Sequence, residues 1–201
     1  MKKILLCCLF LFLNACGNDE KVFTPLASDA VILAFGDSLT YGTGAKRESS
    51  YPAILAQLSS HQVINEGVAG EISQAGLNRL PMLLDKHQPQ LLILIHGGND
   101  ILRNISREKT AENLKQMIAI AKQRDIKIVM LGVPSFGLLM LESAEIYQQV
   151  ASAENVPIDL ETLPDILSSS GLKSDRVHPN AEGYQVMAEA IYKLLQESGA
   201  L

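Results

Sequence analysis

The sequence predicts an α/β fold in which a mainly parallel, five-stranded sheet carries helices on both faces. Three observations indicate this fold. Short apolar runs recur between residues 29 and 158, amphipathic segments of helical period separate them, and residues typical of loops follow several of the runs. Strands that alternate with helices pair in parallel, because each crossover helix returns the chain to the same edge of the sheet. Ligands of such sheets bind beyond the carboxyl ends of the strands.

The five strands are predicted from runs of apolar residues. They are placed at residues 29–34, 63–64, 91–95, 128–131 and 156–158. The third run is the clearest, because five consecutive apolar residues are typical of a strand that is covered on both faces. Residues 65–70 are predicted to end the second strand in a loop.

The first long helix is predicted to begin after Ser49 or Ser50, either of which can cap it, with Pro52 in its first turn. One face of that helix combines Tyr51, Ile54, Leu55 and Leu58. A helical region then extends to His87, in which Pro81 either kinks the helix or begins a second one.

Three later helices are predicted in the second half of the chain. One buries Leu114, Met117, Ile118 and Ala121 on a single face, a second covers residues 144–154, and the last aligns Met187, Ala190, Ile191 and Leu194. Residues 133–143 are predicted to be irregular and apolar, which suits a wall of a substrate pocket.

Composition restricts the classes of protein to which the chain can belong. Its 201 residues fit one domain, and contents of 47% hydrophobic and 19% charged residues are typical of a folded globular protein. A net charge of −5 without a cluster of Lys and Arg argues against a nucleic-acid partner.

The first fifteen residues have the pattern of a secretory signal peptide. Lys2 and Lys3 precede a ten-residue apolar stretch that is too short to span a bilayer. Residues 13–16 resemble the lipobox of bacterial lipoproteins, in which cleavage leaves a lipidated Cys16 at the new N-terminus, although Asn14 departs from that pattern. We therefore expect a signal peptide at residues 1–15, a lipidated N-terminus and linker at 16–29, a folded domain at 30–201, and export to the periplasm with a membrane anchor.

Cysteine usage gives a further expectation. Cys7 and Cys8 lie within the predicted signal peptide, so Cys16 is the only cysteine of the mature chain. An intramolecular disulfide is then impossible, and burial of apolar surface has to hold the domain together.

A candidate nucleophile follows the first predicted strand. Ser38 lies in the segment 35–40 and is predicted to be on a loop that opens to solvent. A serine nucleophile needs a base, and the base needs a group that fixes its tautomer. Of the four histidines, His178 follows Asp175 by three residues, a spacing that lets the carboxylate reach Nδ1 and leaves Nε2 free toward Ser38.

The other histidines suit structural roles. His61 and His87 are predicted at the surface. His96 adjoins the loop at residues 97–100 and could line the pocket, but a solvated or hydrogen-bonded structural role is favoured for it. An oxyanion also needs donors, and three are available just beyond predicted strands: the N–H groups of Ser38 and Gly70 and the side-chain amide of Asn99.

Four segments together resemble the SGNH hydrolases, also called GDSL lipases and esterases. They are residues 36–39, Gly70, residues 97–100 and residues 175–178, and the likeness extends through residues 72–81 toward the bacterial periplasmic thioesterase, lysophospholipase and arylesterase group. The resemblance covers about residues 30–197. It implies a three-layer α/β/α sandwich of the flavodoxin-like type.

The resemblance also implies a role for each site residue. Ser38 corresponds to the nucleophile, Gly70 and Asn99 to oxyanion donors, and His178 to the base that Asp175 orients. Asp37 and Asp100 are interpreted as carboxylates that hold their loops. No cofactor is expected, and no His, Cys or Glu set has the spacing of metal ligands.

The expected function is hydrolysis of carboxylic esters or thioesters by a monomeric serine enzyme, with small acyl esters, thioesters or lysophospholipids as substrates. Cleavage is expected to rise as His178 loses its proton near neutral pH. Two alternatives stay open: a carbohydrate O-acetylesterase that uses the same residues, and a binding lipoprotein that has lost its chemistry. Residues 133–143 do not match the loop that shapes acyl preference in the family, so the choice of acyl chain is left open.

Overall fold

The structure, a computed structural model, describes residues 21–136 and 141–201, so the predicted signal peptide and Cys16 lie outside the described residues. The strands are β1 (Val31–Gly36), β2 (Gln62–Gly67), β3 (Leu91–Ile95), β4 (Lys127–Leu131), β5 (Pro134–Phe136), β6 (Leu141–Ser143) and β7 (Ile158–Asp159). The helices are α1 (Ser38–Tyr41), α2 (Tyr51–Ser59), α3 (Ser73–His87), α4 (Gly98–Leu102), α5 (Arg107–Lys122), α6 (Glu145–Glu154), α7 (Thr162–Ser168) and α8 (Ala181–Ser198).

Five of the strands form one sheet in the order β2-β1-β3-β4-β7, and every neighbouring pair is parallel. The chain therefore runs from β1 to β2 at one edge of the sheet and then crosses to the other side of β1 to form β3. It continues through β4 to β7 at the opposite edge. Right-handed crossovers place α2 on one face of such a sheet and α3, α5 and α6 on the other. The packing agrees, since α2 contacts α8 while α3 contacts α5 and α5 contacts α6. The predicted mainly parallel, five-stranded sheet with helices around it is confirmed.

The hydrophobic core lies on both sides of the central strand β3, all five residues of which are buried. The predicted buried face of α5 is also confirmed, because Leu114, Met117, Ile118 and Ala121 are all 0% exposed. In α2, by contrast, Tyr51 and Leu55 are buried but Leu58 is 37% exposed, so Leu58 does not belong to the face assigned to it.

Two predicted ends of elements are absent: β2 does not end at residue 64, and no second helix begins at Pro81. Asn65, Glu66 and Gly67 continue β2, pairing with residues 34–36 of β1. An edge strand needs only backbone partners on one side, so its polar side chains did not prevent the pairing. Pro81 lies inside the continuous helix α3, where four buried leucines hold the helix against the sheet: Leu77, Leu80, Leu83 and Leu84.

Short elements account for the other differences. Ser38, which the sequence places on a loop, begins the four-residue helix α1, and Asn99, which the sequence places just beyond a strand, lies in α4. The region 133–143 contains the antiparallel pair β5–β6, with residues 137–140 outside the described part of the chain, so the prediction of an irregular segment is wrong for both strands. The last sheet strand is residues 158–159 instead of 156–158, and α7 was not predicted.

The chain that precedes β1 contacts the end of the last helix. The N–H of Phe23 donates to the Ser198 carbonyl at 2.9 Å, and the N–H of Leu26 donates to the Ala200 carbonyl at 2.8 Å. Both side chains are partly buried against the core. The described part of the predicted linker is therefore bound to the domain. Within residues 21–136 and 141–201, no helix has the length and apolar character needed to cross a bilayer.

Candidate active site

Three predicted site residues lie beyond the carboxyl ends of three neighbouring strands. Ser38 follows β1, Gly70 follows β2 and Asn99 follows β3. Because β1 pairs with β2 on one side and β3 on the other, this is the place where the order of the strands reverses. In open α/β sheets a crevice forms at that point, since the connections on either side of it leave in opposite directions.

Local hydrogen bonds fix Ser38 at the start of α1. Oδ1 of Asp37 caps this helix by accepting from the N–H of Leu39 at 3.1 Å. The helix ends at Gly42, whose φ of 96° lies in the left-handed region that favours glycine. The turn between strand and helix is tight, because any side chain at Gly36 would collide with the Ile95 carbonyl of β3. The serine side chain consequently projects from a short turn that the Asp37 cap and the close packing of Gly36 against β3 hold in place.

The loop between α7 and α8 supplies the remaining members of a hydrogen-bonded chain. His178 Nε2 lies 2.9 Å from Ser38 Oγ, and His178 Nδ1 lies 2.8 Å from Asp175 Oδ2. A carboxylate can only accept a hydrogen bond, so the neutral imidazole carries its proton on Nδ1 and donates it to Asp175. Nε2 is then free to accept the hydrogen bond of the serine hydroxyl. The structure thus brings Ser38, His178 and Asp175 together, as the sequence predicted for their positions.

The Asp175 carboxylate also shapes the loop on which it lies. Its Oδ1 accepts from the N–H groups of Val177 at 2.8 Å and of His178 at 2.9 Å, while Oδ2 holds the imidazole. Burial raises the pKa of Asp175, but the hydrogen bonds from His178 and Val177 outweigh it and hold the pKa below its ordinary value. The side chain is 53% exposed, so solvent weakens these interactions. The group is a carboxylate at neutral pH.

The oxyanion donors predicted from the sequence converge on the same crevice. Asn99 Nδ2 donates one hydrogen to the Glu71 carbonyl at 3.0 Å, which orients the amide and leaves its second hydrogen available. Among the described residues, no acceptor binds the backbone N–H of Gly70. Gly70 has a φ of 79°, and its carbonyl accepts from Arg103 Nη2 at 2.9 Å. A left-handed backbone of this kind favours glycine.

Asp100 braces the helix that carries Asn99. It accepts from Ser73 N at 2.7 Å, from Ser73 Oγ at 2.5 Å and from Thr110 Oγ1 at 3.3 Å, and Asn113 Nδ2 donates to Ser73 Oγ at 2.8 Å. These buried bonds connect α3, α4 and α5 behind the crevice. The interpretation of Asp100 as a carboxylate that holds its loop fits these contacts.

A cavity of about 210 Å³ opens beside the serine. Its walls combine Ser38, Gly70, Asn99 and His178 with the apolar side chains of Leu39, Ala69, Leu102, Val133, Leu167 and Val177. Val133 belongs to the region that the sequence suggested as a pocket wall. Leu102 is 49% exposed, so it also forms part of the rim. The cavity can hold an apolar group next to the serine hydroxyl.

The other three histidines have structural surroundings. His61 contacts the backbone carbonyls of Ser59 and Ala27, and His87 Nε2 lies 2.8 Å from Glu66 Oε1. His96 is fully buried and does not line the cavity. In residues 21–136 and 141–201, no group of three or more His, Cys, Asp and Glu side chains has an arrangement that fits a metal ion.

Two residues near the crevice were not singled out from the sequence. Glu71 and Arg79 form an ion pair beneath it, with Arg79 Nη2 and Glu71 Oε2 at 2.7 Å. Arg79 lies within the segment 72–81 and Glu71 directly precedes it. The resemblance of that segment to the SGNH hydrolases is the sequence signal that could have identified both residues.

Comparisons with known proteins agree with this geometry. The profile of the GDSL-like lipase/acylhydrolase family matches residues 34–186. "Thioesterase 1/protease 1/lysophospholipase L1" of Escherichia coli K12 is 29% identical over 181 residues, which cover 87% of this chain and 86% of that protein. An arylesterase of Vibrio mimicus is 33% identical over 172 residues, covering 80% of this chain and 85% of the relative.

The fold is shared with solved structures as well. The crystal structure of TesA superposes with a TM-score of 0.75 at 24% identity, covering 83% of this chain and 98% of TesA. The family profile spans most of the described domain, including the segments that carry Ser38, Gly70 and Asn99. The chain belongs to the GDSL-like lipase/acylhydrolase family, the SGNH hydrolases, and is an ester hydrolase.

Proposed function

We propose that the protein cleaves carboxylic esters and thioesters through an acyl-enzyme formed on Ser38. The observation that carries the proposal is the chain of hydrogen bonds from Ser38 Oγ through His178 to Asp175, at 2.9 and 2.8 Å, beside an apolar cavity. A hydroxyl bonded to an imidazole whose other nitrogen is held by a carboxylate is the arrangement that activates a serine nucleophile.

The first half of the reaction follows from this arrangement. His178 Nε2 takes the proton of Ser38 as Oγ attacks the substrate carbonyl carbon. The carbonyl oxygen becomes an oxyanion, which accepts from the N–H groups of Ser38 and Gly70 and from the Asn99 amide. The intermediate then collapses, His178 gives its proton to the departing alcohol or thiol, and the acyl group stays on Ser38 as an ester.

The second half repeats these roles with water as the nucleophile. His178 takes a proton from water as the water oxygen attacks the acyl carbon. Collapse of the second intermediate breaks the bond to Oγ, which recovers its proton from His178, and the carboxylic acid leaves. Asp175 stays ionised throughout and stabilises the imidazolium that forms in each half, a role that suits its lowered pKa.

The lining of the cavity favours an acyl or aryl substrate over a sugar acetate. Beside the proposed reacting groups its walls are mostly leucine, valine and alanine, which gain from contact with hydrocarbon and offer no donors or acceptors to sugar hydroxyls. The names of the relatives, thioesterase, lysophospholipase and arylesterase, point to the same class of substrates.

We further propose that residues 1–15 act as a signal peptide and that Cys16 is lipidated, with residues 16–29 joining the anchor to a monomeric domain in the periplasm. The sequence of residues 2–16 supports this proposal. Mass spectrometry of the membrane fraction tests it: a mature N-terminus at Cys16 carrying acyl chains is expected, and an intact Met1 would contradict it.

The decisive test of the chemistry is Ser38→Ala. The variant is expected to lose hydrolysis of p-nitrophenyl butyrate and labelling by a fluorophosphonate probe, because only an activated serine reacts with that probe. Full activity in the variant would exclude the mechanism, and absence of labelling in the wild-type protein would favour a binding protein that has lost its chemistry.

Asn99→Ala tests the oxyanion donors. We expect kcat for p-nitrophenyl butyrate to fall roughly 10²–10³-fold with little change in KM, because the amide acts on the charge that develops in the transition state. A loss confined to KM would assign Asn99 to substrate binding.

Assays of the wild-type protein on esters of different acyl length test the substrate class. Activity on acetyl esters with none on longer acyl chains would favour the sugar esterase.

A further inference from the structure

A partly buried ion pair lies under the ends of the strands that carry the proposed reacting groups. Arg79 Nε donates to both carboxylate oxygens of Glu71, at 2.8 and 3.0 Å, and Arg79 Nη2 donates to Glu71 Oε2 at 2.7 Å. His96 Nε2 lies 3.1 Å from the same Oε2. Their side chains are 19%, 8% and 0% exposed, in the order Arg79, Glu71, His96.

The guanidinium of Arg79 also joins two strands at their carboxyl ends. Nη2 donates to the carbonyl of Gly36 in β1 at 3.2 Å and to the carbonyl of Glu66 in β2 at 2.9 Å. The guanidinium lies over the Phe35 ring, 4.3 Å from its centroid. Gly36 is two residues before Ser38, so Arg79 holds the strand end from which the nucleophile projects.

Glu71 connects the same cluster to the proposed oxyanion donors. It directly follows Gly70, and its carbonyl accepts from Asn99 Nδ2 at 3.0 Å. His96 gives a second connection, because it directly follows β3, three residues before Asn99, and its Nδ1 accepts from the N–H of Gly97 at 2.9 Å. With Nδ1 accepting, Nε2 carries the proton that it donates to Glu71.

The energetics suggest a geometrical role for the cluster. Burial raises the pKa of Glu71, but the hydrogen bonds from His96 and Arg79 more than compensate, so its pKa lies below the ordinary value and the group is ionised. An ion pair that is withdrawn from water in part is a poor source of stability, because desolvation offsets much of its attraction. The planar guanidinium of Arg79 does, however, donate to one carboxylate and two carbonyls, and these bonds fix the relative position of all three groups.

We propose that Arg79 is a positioning residue that acts through Glu71 to hold the Asn99 amide in the arrangement that stabilises the oxyanion. This inference rests on the proposed function and adds a residue to it. Arg79 lies one turn after Gly76, where any side chain would collide with the His96 ring, so α3 approaches the strand ends closely enough for the guanidinium to reach them.

The test is a double-mutant cycle of Arg79→Lys with Asn99→Ala, measured with p-nitrophenyl butyrate. Lysine keeps the charge but has one donor nitrogen and no planar fork, so the paired contact of Nε and Nη2 with the Glu71 carboxylate is lost. In the wild-type background we expect kcat to fall about 10- to 100-fold with KM nearly unchanged, a smaller loss than that of a donor itself. In the Asn99→Ala background the same substitution is expected to change kcat less than about threefold.

Arg124→Lys is the matched control. Arg124 pairs with Asp85 at 3.0 Å on the surface, where its side chain is 32% exposed, so the same chemical change is made away from the crevice. We expect kcat and KM to stay at wild-type values in this variant. All assays are run well below the melting temperature of each protein, and Glu71→Gln provides a second way to break the cluster if Arg79→Lys does not fold.

Each outcome has a distinct meaning. Equal losses of kcat from Arg79→Lys in both backgrounds, or no loss in either, would overturn the positioning role while leaving the proposed function intact. Unchanged kcat in Asn99→Ala alone would instead contradict the proposed oxyanion role of Asn99, and the positioning inference would fail with it.

Discussion

Two buried acids lie one residue away from proposed reacting groups, and their partners differ. Asp100 receives three hydrogen bonds from the two residues Ser73 and Thr110. Asp37 receives one, from Leu39, and within the described part of the chain its Oδ2 has no hydrogen-bond partner. Burial raises the pKa of Asp37, and the backbone N–H groups of Leu39 and Gly98 only partly oppose this effect. Ionised Asp37 therefore destabilises the fold.

Asp37→Asn is expected to gain stability relative to the wild type as pH rises. The unfolded chain releases this proton near the ordinary carboxyl pKa, while the folded chain retains it to higher pH, so the wild-type contribution falls from about pH 4 up through the raised pKa. Asparagine keeps the acceptor for Leu39 and does not titrate. Urea unfolding of both proteins between pH 4 and pH 8 measures the difference.

Asp100→Asn serves as the comparison for that experiment. An amide in place of this carboxylate sets an N–H group against the donors of Ser73, so we expect a loss of about 1–3 kcal/mol at neutral pH. If Asp37→Asn instead cost as much at pH 8 as at pH 4, Asp37 would be needed as a partnered carboxylate, and the interpretation of its burial would be wrong.

At the scale of elements, α3 is notable because it continues through Pro81. A proline inside a helix removes one backbone hydrogen bond and lowers the stability of the helix, and here the burial of leucines on either side of it compensates.

Pro81→Ala restores the missing donor and should raise the free energy of unfolding by about 1 kcal/mol. Met82→Ala is a control, since its side chain is 63% exposed. Denaturant melts would contradict this account if Pro81→Ala were less stable than the wild type.

Elements also differ in how well the sequence predicts them. The buried strands and α5 are encoded locally, by runs and periodic positions that admit one interpretation. The short helices α1 and α4 are not, because four or five residues carry too little periodicity, and each depends on its place at the end of a strand. Residues 65–67 were misassigned for a similar reason: their pairing with β1 is a tertiary contact that polar side chains conceal.

The proposed reacting residues were easier to predict than Arg79, which holds the ends of the strands beneath them. Ser38, Gly70, Asn99, Asp175 and His178 occur in short segments whose residue types suggest their chemistry. Arg79 lies on a helix between polar and apolar neighbours, and its contacts with Gly36 and Glu66 span 43 and 13 residues of sequence. Spacing along the chain gives no indication of such contacts.

At the scale of the whole molecule, the segment before β1 is expected to contribute to stability. A protein that starts at Asp29 lacks two backbone hydrogen bonds to the end of α8 and the partly buried side chains of Phe23 and Leu26. We expect it to lose about 1–3 kcal/mol of unfolding free energy relative to a protein that starts at Lys21, while kcat at low temperature is unchanged. Equal stability of the two proteins would contradict this expectation and place the domain boundary after Ser28.

The course of α8 separates that segment from the crevice. Its first turn lies near the site, where the Tyr184 hydroxyl donates to the Thr43 carbonyl at 2.8 Å, and its 18 residues extend about 27 Å to the end that contacts Phe23 and Leu26. Coupling the protein to a bead or sensor surface through the exposed Lys21 would therefore place the support at the end of α8 that lies away from Thr43 and Tyr184. Immobilised protein should turn over substrate without shielding by its own support.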